Sequence, residues 1–491
     1  MLNFQPIGLY GVLAALLLAS VAKVTSAALR NPLRRIPGPW YSSFTHYVLK
    51  FHTITGRRMH YVHSLHLRHG PVVRISPQQV AIADLKGFSA IHKIGSGFLK
   101  TSWCEQLIGG ALGGLAFFAM RNPKDHSSRR KLFARPFSQN FLRENCEAII
   151  RSKVEMAVSR IQNEAAHGNS DVLKWWVLMA SDVIGTLSFG ESFELLQSAK
   201  KNEYVEVLEA AALSTTLQVE FPLLCLICRY IPIKSIQLAL NSGNKLIAFG
   251  REAVAKLHRS NHEKTLFANM VAKSESTGEA QHILSDEDIR IEASDFILAG
   301  ADTTSNTLTY ITWAVLRDTD LRDRLVEELS SLRQDFDDAA LEQLPLLNAV
   351  IKEALRLYGA VPGNLSRVVP NHGITICGHF IPGGYEVETQ AYSMHRDPRI
   401  WPDPLRFDYT RWIDPAKLTP EQKASFCPFG AGTRVCIGIH LARMELRLGA
   451  ALLLKSCPRL RLSDNMNDSI MEMYNFFLAG PVGRRCEVTS L

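Results

Sequence analysis

The chain has 491 residues, 46% hydrophobic and 21% charged, enough apolar side chain for a large core, and this excludes a disordered or fibrous protein. Its formal net charge of +8 at pH 7 is spread along the chain rather than gathered in a stripe. That spread argues against a nucleic-acid protein and fits weak attraction to an acidic membrane surface or an acidic protein partner.

From the amino end, residues 7–22 carry no charge, and after Lys23 a small apolar stretch resumes as far as Leu29. As one helix, residues 6–29 reach across a bilayer core. No positive side chain lies in residues 1–6, whereas Arg30, Arg34 and Arg35 follow the stretch. A cleaved signal peptide has a positive amino end and a shorter apolar region, so residues 1–29 are predicted to be an uncleaved anchor. The trailing arginines then put the body on the cytosolic side. Ile36-Pro37-Gly38-Pro39-Trp40 stiffens and turns the chain, and residues 30–39 read as a basic, proline-rich hinge. Residues 40–491 make up the body that follows. The nine scattered cysteines form no disulfide framework, which points to a reducing compartment.

Val72–Ser76 and Gln79–Ala83, either side of Pro77, predict a short strand pair. Residues 94–120 include the run Gly109-Gly110-Ala111-Leu112-Gly113-Gly114 and read as a flexible loop. From His126 onward the apolar spacing is helical for most of the chain, so the fold class is mostly α with small β sheets. His126 and Arg130 stand one helical turn apart, two N–H donors on one face. Phe221–Ile233 is apolar but too short to span a membrane; it is either core or a second surface dipping into the lipid. Its Cys225-x-x-Cys228 has no second pair and reads as ordinary cysteine rather than zinc ligation.

Ala299-Gly300-Ala301-Asp302-Thr303-Thr304 falls inside a helix predicted over 286–317. A mid-helix glycine costs about 1 kcal/mol, so Gly300 needs a reason: room for a small ligand, or close packing. Asp302 and Thr303 set an acid beside an alcohol, a pair suited to relaying protons. Glu353 and Arg356 lie three apart on one helix face, a spacing that on a surface gives only a weak ion pair. The last motif runs from Phe429 to Gly438 and holds Cys436 in a glycine-rich loop that opens onto a helix over about 439–454. A thiolate iron ligand needs shielding from water and backbone N–H groups, which a helix start supplies. Gly432 and Gly438 permit close approach, Phe429 is placed to cover the sulfur, and Arg434 to meet an anionic group. A buried free cysteine beside a turn is the alternative. No Walker loop or dinucleotide fingerprint is present, so any electrons must come from a separate protein.

These motifs resemble those of the cytochrome P450 family, over roughly residues 37–485. The resemblance implies one haem domain behind a single transmembrane helix, holding haem b with Cys436 as axial ligand. It makes Asp302 and Thr303 the oxygen-activating pair. His126, Arg130, Arg367 and Arg434 would hold the haem propionates, beside Phe429. Glu353, Arg356 and Arg411 would form a structural triad, although Tyr409 stands where the family often has proline. Phe296, Ala299, the 361–366 turn, Phe476 and Phe477 would wall an apolar substrate pocket. The reaction implied is insertion of one atom of O2 into a lipophilic substrate, a terpenoid, polyketide or similar molecule. The site would be the endoplasmic reticulum membrane, with electrons from NADPH through NADPH–cytochrome P450 reductase. Lys131, Arg135, Arg443 and Arg447 are expected to gather as that partner's docking face. In style the motifs are most similar to filamentous-fungal members of secondary metabolism. Two other functions share the scaffold: a haem-thiolate isomerase or dehydratase that needs no reductase, and a non-catalytic haem sensor. The complete Ala-Gly-x-Asp-Thr motif argues against both.

Overall fold

The chain starts in helix α1, Pro6–Arg30, and from Tyr10 to Arg30 it is long and apolar enough to cross a membrane, with its side chains almost wholly exposed. The computed structural model describes residues 6–112, 115–190, 192–199, 207, 214–259, 265–266 and 285–490.

The segment after α1 is strapped down. Strand β1, Val72–Ser76, carries Arg74, whose buried guanidinium donates to the carbonyls of Leu33, Arg34 and Ile36 at 3.1, 3.1 and 3.2 Å and to that of Pro39 at 3.4 Å. The Arg74 N–H donates to the Pro37 carbonyl at 2.7 Å. Gly38 is needed here because a Cβ would fall 2.4 Å from the Arg74 carbonyl oxygen. A buried arginine is tolerated because its donors meet a row of carbonyls that the prolines leave without sheet partners.

Next come strands β2 (Gln79–Ile82) and β3 (Leu99–Lys100). The 94–120 stretch differs from the loop expected there, since Ser102–Leu112 forms helix α2; Gly113 and Gly114 lie outside the described residues. Packing of Cys104 and Leu107 into the interior outweighs the glycines' low helix propensity. Helix α3 (Pro123–Ala134) starts with proline at N1 and the Asn122 side chain accepting from the Lys124 N–H at 2.9 Å. Helices α4 (Glu147–His167) and α5 (Val172–Phe189) follow, α5 ending at Gly190 in the left-handed conformation. Helix α6, Pro222–Cys228, removes the core alternative for the 221–233 segment: Leu223 is 77% exposed, Ile227 63% and Tyr230 85%.

Helix α7 (Lys234–Arg259) leads to the central helix α8, Asp286–Leu316, which opens on a capping box between Ser285 and Asp288. α8 packs on α5 and α7, then on α9 (Pro345–Tyr358) and α10 (Ile439–Ser456). Between α9 and α10 run β4 (Leu365–Val368) and β5 (Glu386–Thr389), completing a five-stranded sheet in the order β1-β2-β5-β4-β3. β2 and β5 are parallel and the other pairs antiparallel. The β3–β4 register sets Lys100 opposite Arg367, joining two cations far apart in sequence.

Candidate active site

The Cys436 loop is a set of tight backbone turns. The Cys436 N–H donates to the Phe429 carbonyl at 2.9 Å, and the Val435 N–H to that of Gly432 at 3.2 Å. Gly430 and Gly432 have φ of +75° and +64°, and a Cβ on Gly432 would come 1.9 Å from the His92 carbonyl oxygen. That position admits glycine alone. Cys436 is exposed to solvent-sized space and lines a cavity of about 310 Å³. Burial pushes its pKa up, while the Gly438 N–H and the Arg130 charge favour the thiolate. Phe429 also lines this cavity and carries the Arg443 guanidinium 5.7 Å from its ring centre.

Two long-range connections brace the loop. The Arg356 guanidinium donates to both Glu353 oxygens at 2.7 and 2.8 Å, with neither side chain exposed. Arg411 lies beside this pair, its Nε 3.6 Å from Glu353 without a hydrogen bond. Sequence reasoning missed two further members. Trp412 Nε1 donates to Glu353 at 2.8 Å. His395 accepts from the Cys427 N–H at 3.0 Å and makes its other ring bond, at 2.9 Å, to the Arg356 carbonyl. Burial pushes His395 down to about 3, so its ring is neutral, with Nδ1 as donor and Nε2 as acceptor. A buried Glu–Arg pair is thereby wired to the start of the cysteine loop.

Above the loop, α8 supplies Phe296, Ala299, Gly300, Thr303 and Thr304 to the cavity wall. Phe296 packs edge-on against Phe133 and Phe137. Gly300 has the packing reason, since a Cβ would meet Ile184 of α5 at 3.2 Å. The Thr303 hydroxyl donates to the Ala299 carbonyl at 2.7 Å. Asp302 is half-buried beside it and does not line the cavity. Phe476 and Phe477, with Val361 and Leu365 of the 361–366 turn, close the opposite wall. Glu445 was not anticipated: the Thr304 hydroxyl donates to it at 3.0 Å, and burial pushes its carboxyl up to about 8.

A third face of the cavity is cationic. Lys100, His126, Arg130 and Arg434 line it, and Arg367 lies behind them. His126 is stacked on Phe117 at 4.6 Å and pushed down to about 3 by burial and then by Arg434. Arg130 donates to the Val435 carbonyl at 2.9 Å. Burial and the Arg367 charge bring Arg434 down to about 10, and its Nη1 is buried with no hydrogen-bond partner. Among the described residues neither Arg367 nor Arg434 meets a carboxylate. Crowded cations with an orphaned donor fit a dianionic ligand, and a thiol facing the same space fits an iron ligand. The residues present therefore fit haem.

On the outer surface Lys131, Arg135 and Arg443 are exposed, but Arg447 corrects the expected docking face. It is buried and holds Asp338 through two bonds of 2.7 and 2.8 Å.

The cytochrome P450 family model matches residues 37–481. Cytochrome P450 monooxygenase stcB of Emericella nidulans is 37% identical, over 96% of this chain and 91% of its own length. Cytochrome P450 monooxygenase aflV of Aspergillus parasiticus is 37% identical over 96% and 94%, and tazI of Aspergillus terreus 38% over 93% and 93%.

Proposed function

Since the chain belongs to the cytochrome P450 family and is a haem-thiolate monooxygenase, we propose that it oxidises a terpenoid, polyketide or similar lipophilic molecule of fungal secondary metabolism. The observation that carries this is one cavity onto which a cysteine thiol, a threonine hydroxyl, crowded cations with one orphaned arginine donor and a wall of aromatic rings all open.

The cofactor is haem b with an axial cysteinate, and when bound it supplies the dioxygen activation and one-electron chemistry that side chains lack. Cys436 would be the ligand; burial raises its pKa, and the Gly438 N–H and the Arg130 charge work against that rise in favour of the thiolate. His126, Arg130, Arg367 and Arg434 would take up the two propionates. Thr303, on rotating from the Ala299 carbonyl, holds a proton at Oγ1 facing the cavity, and Asp302 beside it hands on a replacement from the far side of α8. Phe296, Phe476 and Phe477 exclude water and bind apolar substrate.

A redox partner supplies the electrons, and we assign that role to NADPH–cytochrome P450 reductase docked over Lys131, Arg135 and Arg443. Residues 1–29 form the anchor, 30–39 the connecting segment and 40–491 the haem domain. Placement in the endoplasmic reticulum membrane with a cytosolic body rests on α1 and the arginines after it. The exposed apolar face of α6 is a second contact with the same lipid.

The test is oxygen consumption by the purified full-length protein with metabolites that accumulate when it is deleted. Product bearing label from isotopic dioxygen, formed only with NADPH and reductase, is the expected result. Product formed without reductase would mean an isomerase or dehydratase, and ligand-dependent spectra without product a sensor.

A further inference from the structure

Two consecutive residues cross the cavity as a strap. Phe117 and Phe118 both line it; the Phe117 ring stacks on His126, and the Phe118 ring meets Phe477 at 5.6 Å. Two buried ionisable side chains, Glu292 and Lys100, bind the peptide groups of this strap, and a third, Asp295, lies beside them. The Phe117 N–H donates to both Glu292 oxygens, at 3.0 and 3.1 Å. The buried Asp295 carboxyl lies close enough to the Phe118 N–H for that dipole to favour its ionised form. Lys100 Nζ donates to the Phe118 carbonyl at 2.5 Å and sits 3.5 Å from the centre of its ring. Arg129 backs the first clamp, 3.5 Å from Glu292 and 2.8 Å from Asp288.

Ordinary loops satisfy such peptide groups with water or neighbouring backbone, and burying three ionisable groups for the purpose is costly. Glu292, Asp295, Ala299 and Thr303 succeed one another at spacings of three, four and four along α8, which makes one face of the helix. The strap is thus bolted to the same rigid rod that carries Thr303, about 12 Å farther along its axis.

We propose that Glu292, Asp295 and Lys100 are positioning residues that clamp the Phe117–Phe118 strap over the cavity, and so set how bulky a substrate is admitted and which of its carbons lies near Thr303. The proposal rests on the monooxygenase reading above.

The experiment uses the full-length holoenzyme, with imidazole and the bulky azole clotrimazole as probes, since both ligate iron through nitrogen and only the second fills the space under the strap. Glu292→Ala and Asp295→Ala should each speed hydrogen exchange of the 115–121 peptide about tenfold. They should change the ratio of clotrimazole to imidazole affinity by about tenfold, leaving imidazole affinity and the reduced carbon monoxide spectrum as they were. Unchanged exchange would show that the carboxylates do not hold the strap. Faster exchange with an unchanged ratio would show that the strap does not shape the cavity. Either result overturns the proposal. If the alanine variants lose haem, Glu292→Gln and Asp295→Asn, which each keep an acceptor oxygen, should restore it with near-native exchange; failure to do so counts against the clamp. Phe118→Leu leaves all three clamps in place and must still shift the affinity ratio. If the unsubstituted protein gave no nitrogen-ligated spectrum with imidazole, the haem reading itself would have failed, and the two failures are thereby distinct.

Discussion

Replacing Glu353 by glutamine keeps the size of the side chain and removes its charge. Four donors converge on the two Glu353 oxygens: Arg356 Nη2 and the Asp408 N–H on one, Arg356 Nε and Trp412 Nε1 on the other, all at 2.7–2.8 Å. An amide has one acceptor, so two of the four are left facing an NH2 group. Each stranded buried donor costs about 1–3 kcal/mol, and breaking a buried ion pair from one side costs about 3–5 kcal/mol in all. The three carbonyls that also bind Arg356, those of His395, Pro404 and Arg406, keep the loss inside that range rather than beyond it. With a urea slope of about 3 kcal/mol/M, the unfolding midpoint should fall by about 1–1.7 M. The midpoint is read from the thiolate band of the reduced carbon monoxide complex of the solubilised full-length protein. That signal reports the Cys436 loop, which the network reaches through His395. Arg411→Ala provides the scale: its contact with Glu353 is 3.6 Å and makes no hydrogen bond, and the bond it loses, to the Asp403 carbonyl at 3.1 Å, is worth about 1 kcal/mol. A Glu353→Gln shift no larger than that of Arg411→Ala would refute the reasoning.

Gly432→Ala should abolish the thiolate band in otherwise folded protein, because its Cβ collides with the His92 carbonyl at a positive φ; near-native spectra would show that the loop can yield. Cys436→Ser should lose the same band outright, oxygen being a weaker donor to this iron, and retention of band and activity would move the ligand assignment to Cys427. Thr303→Ala should bind haem normally while NADPH consumption drains into hydrogen peroxide, and fully coupled product formation would count against a proton role. Lys131→Glu with Arg443→Glu should slow reductase-driven turnover by about tenfold at low salt and flatten its salt dependence, sparing turnover driven by a peroxide. Equal loss in both assays would mean damage to the haem site.

What could be read from the chain was local. The β1–β2 pair follows from alternation around Pro77, α8 from its period, and the Cys436 loop from glycines whose conformations the structure requires. What stayed hidden depends on pairing across long separations. Arg447 reads as a surface cation until Asp338, 109 residues earlier, is folded against it. Lys100 joins Arg367 only through the β3–β4 register, and His395 joins Cys427 through the packing of two irregular segments. The 102–112 helix was masked by its glycines, whose weak propensity tertiary burial overrides. The exposed face of α6 has the composition of a core segment, and only its neighbours decide which it is.

The Arg74 strap makes the stretch between α1 and the body a bracket rather than a leash. A leash would let the body swing, so that a docking partner met it at any height and heading. With α1 in a bilayer, as proposed above, a bracket would hold the haem face at one standing angle to the lipid, and mutations in the stalk would then alter electron delivery without touching the active site. It also dictates where the protein can be cut. Trimming back to residue 31 removes only α1, but trimming to residue 40 takes away all four carbonyls that the Arg74 guanidinium holds and leaves it the Ser42 hydroxyl alone. The shorter soluble form should be the less stable of the two, although it differs only by nine residues with no role in the chemistry.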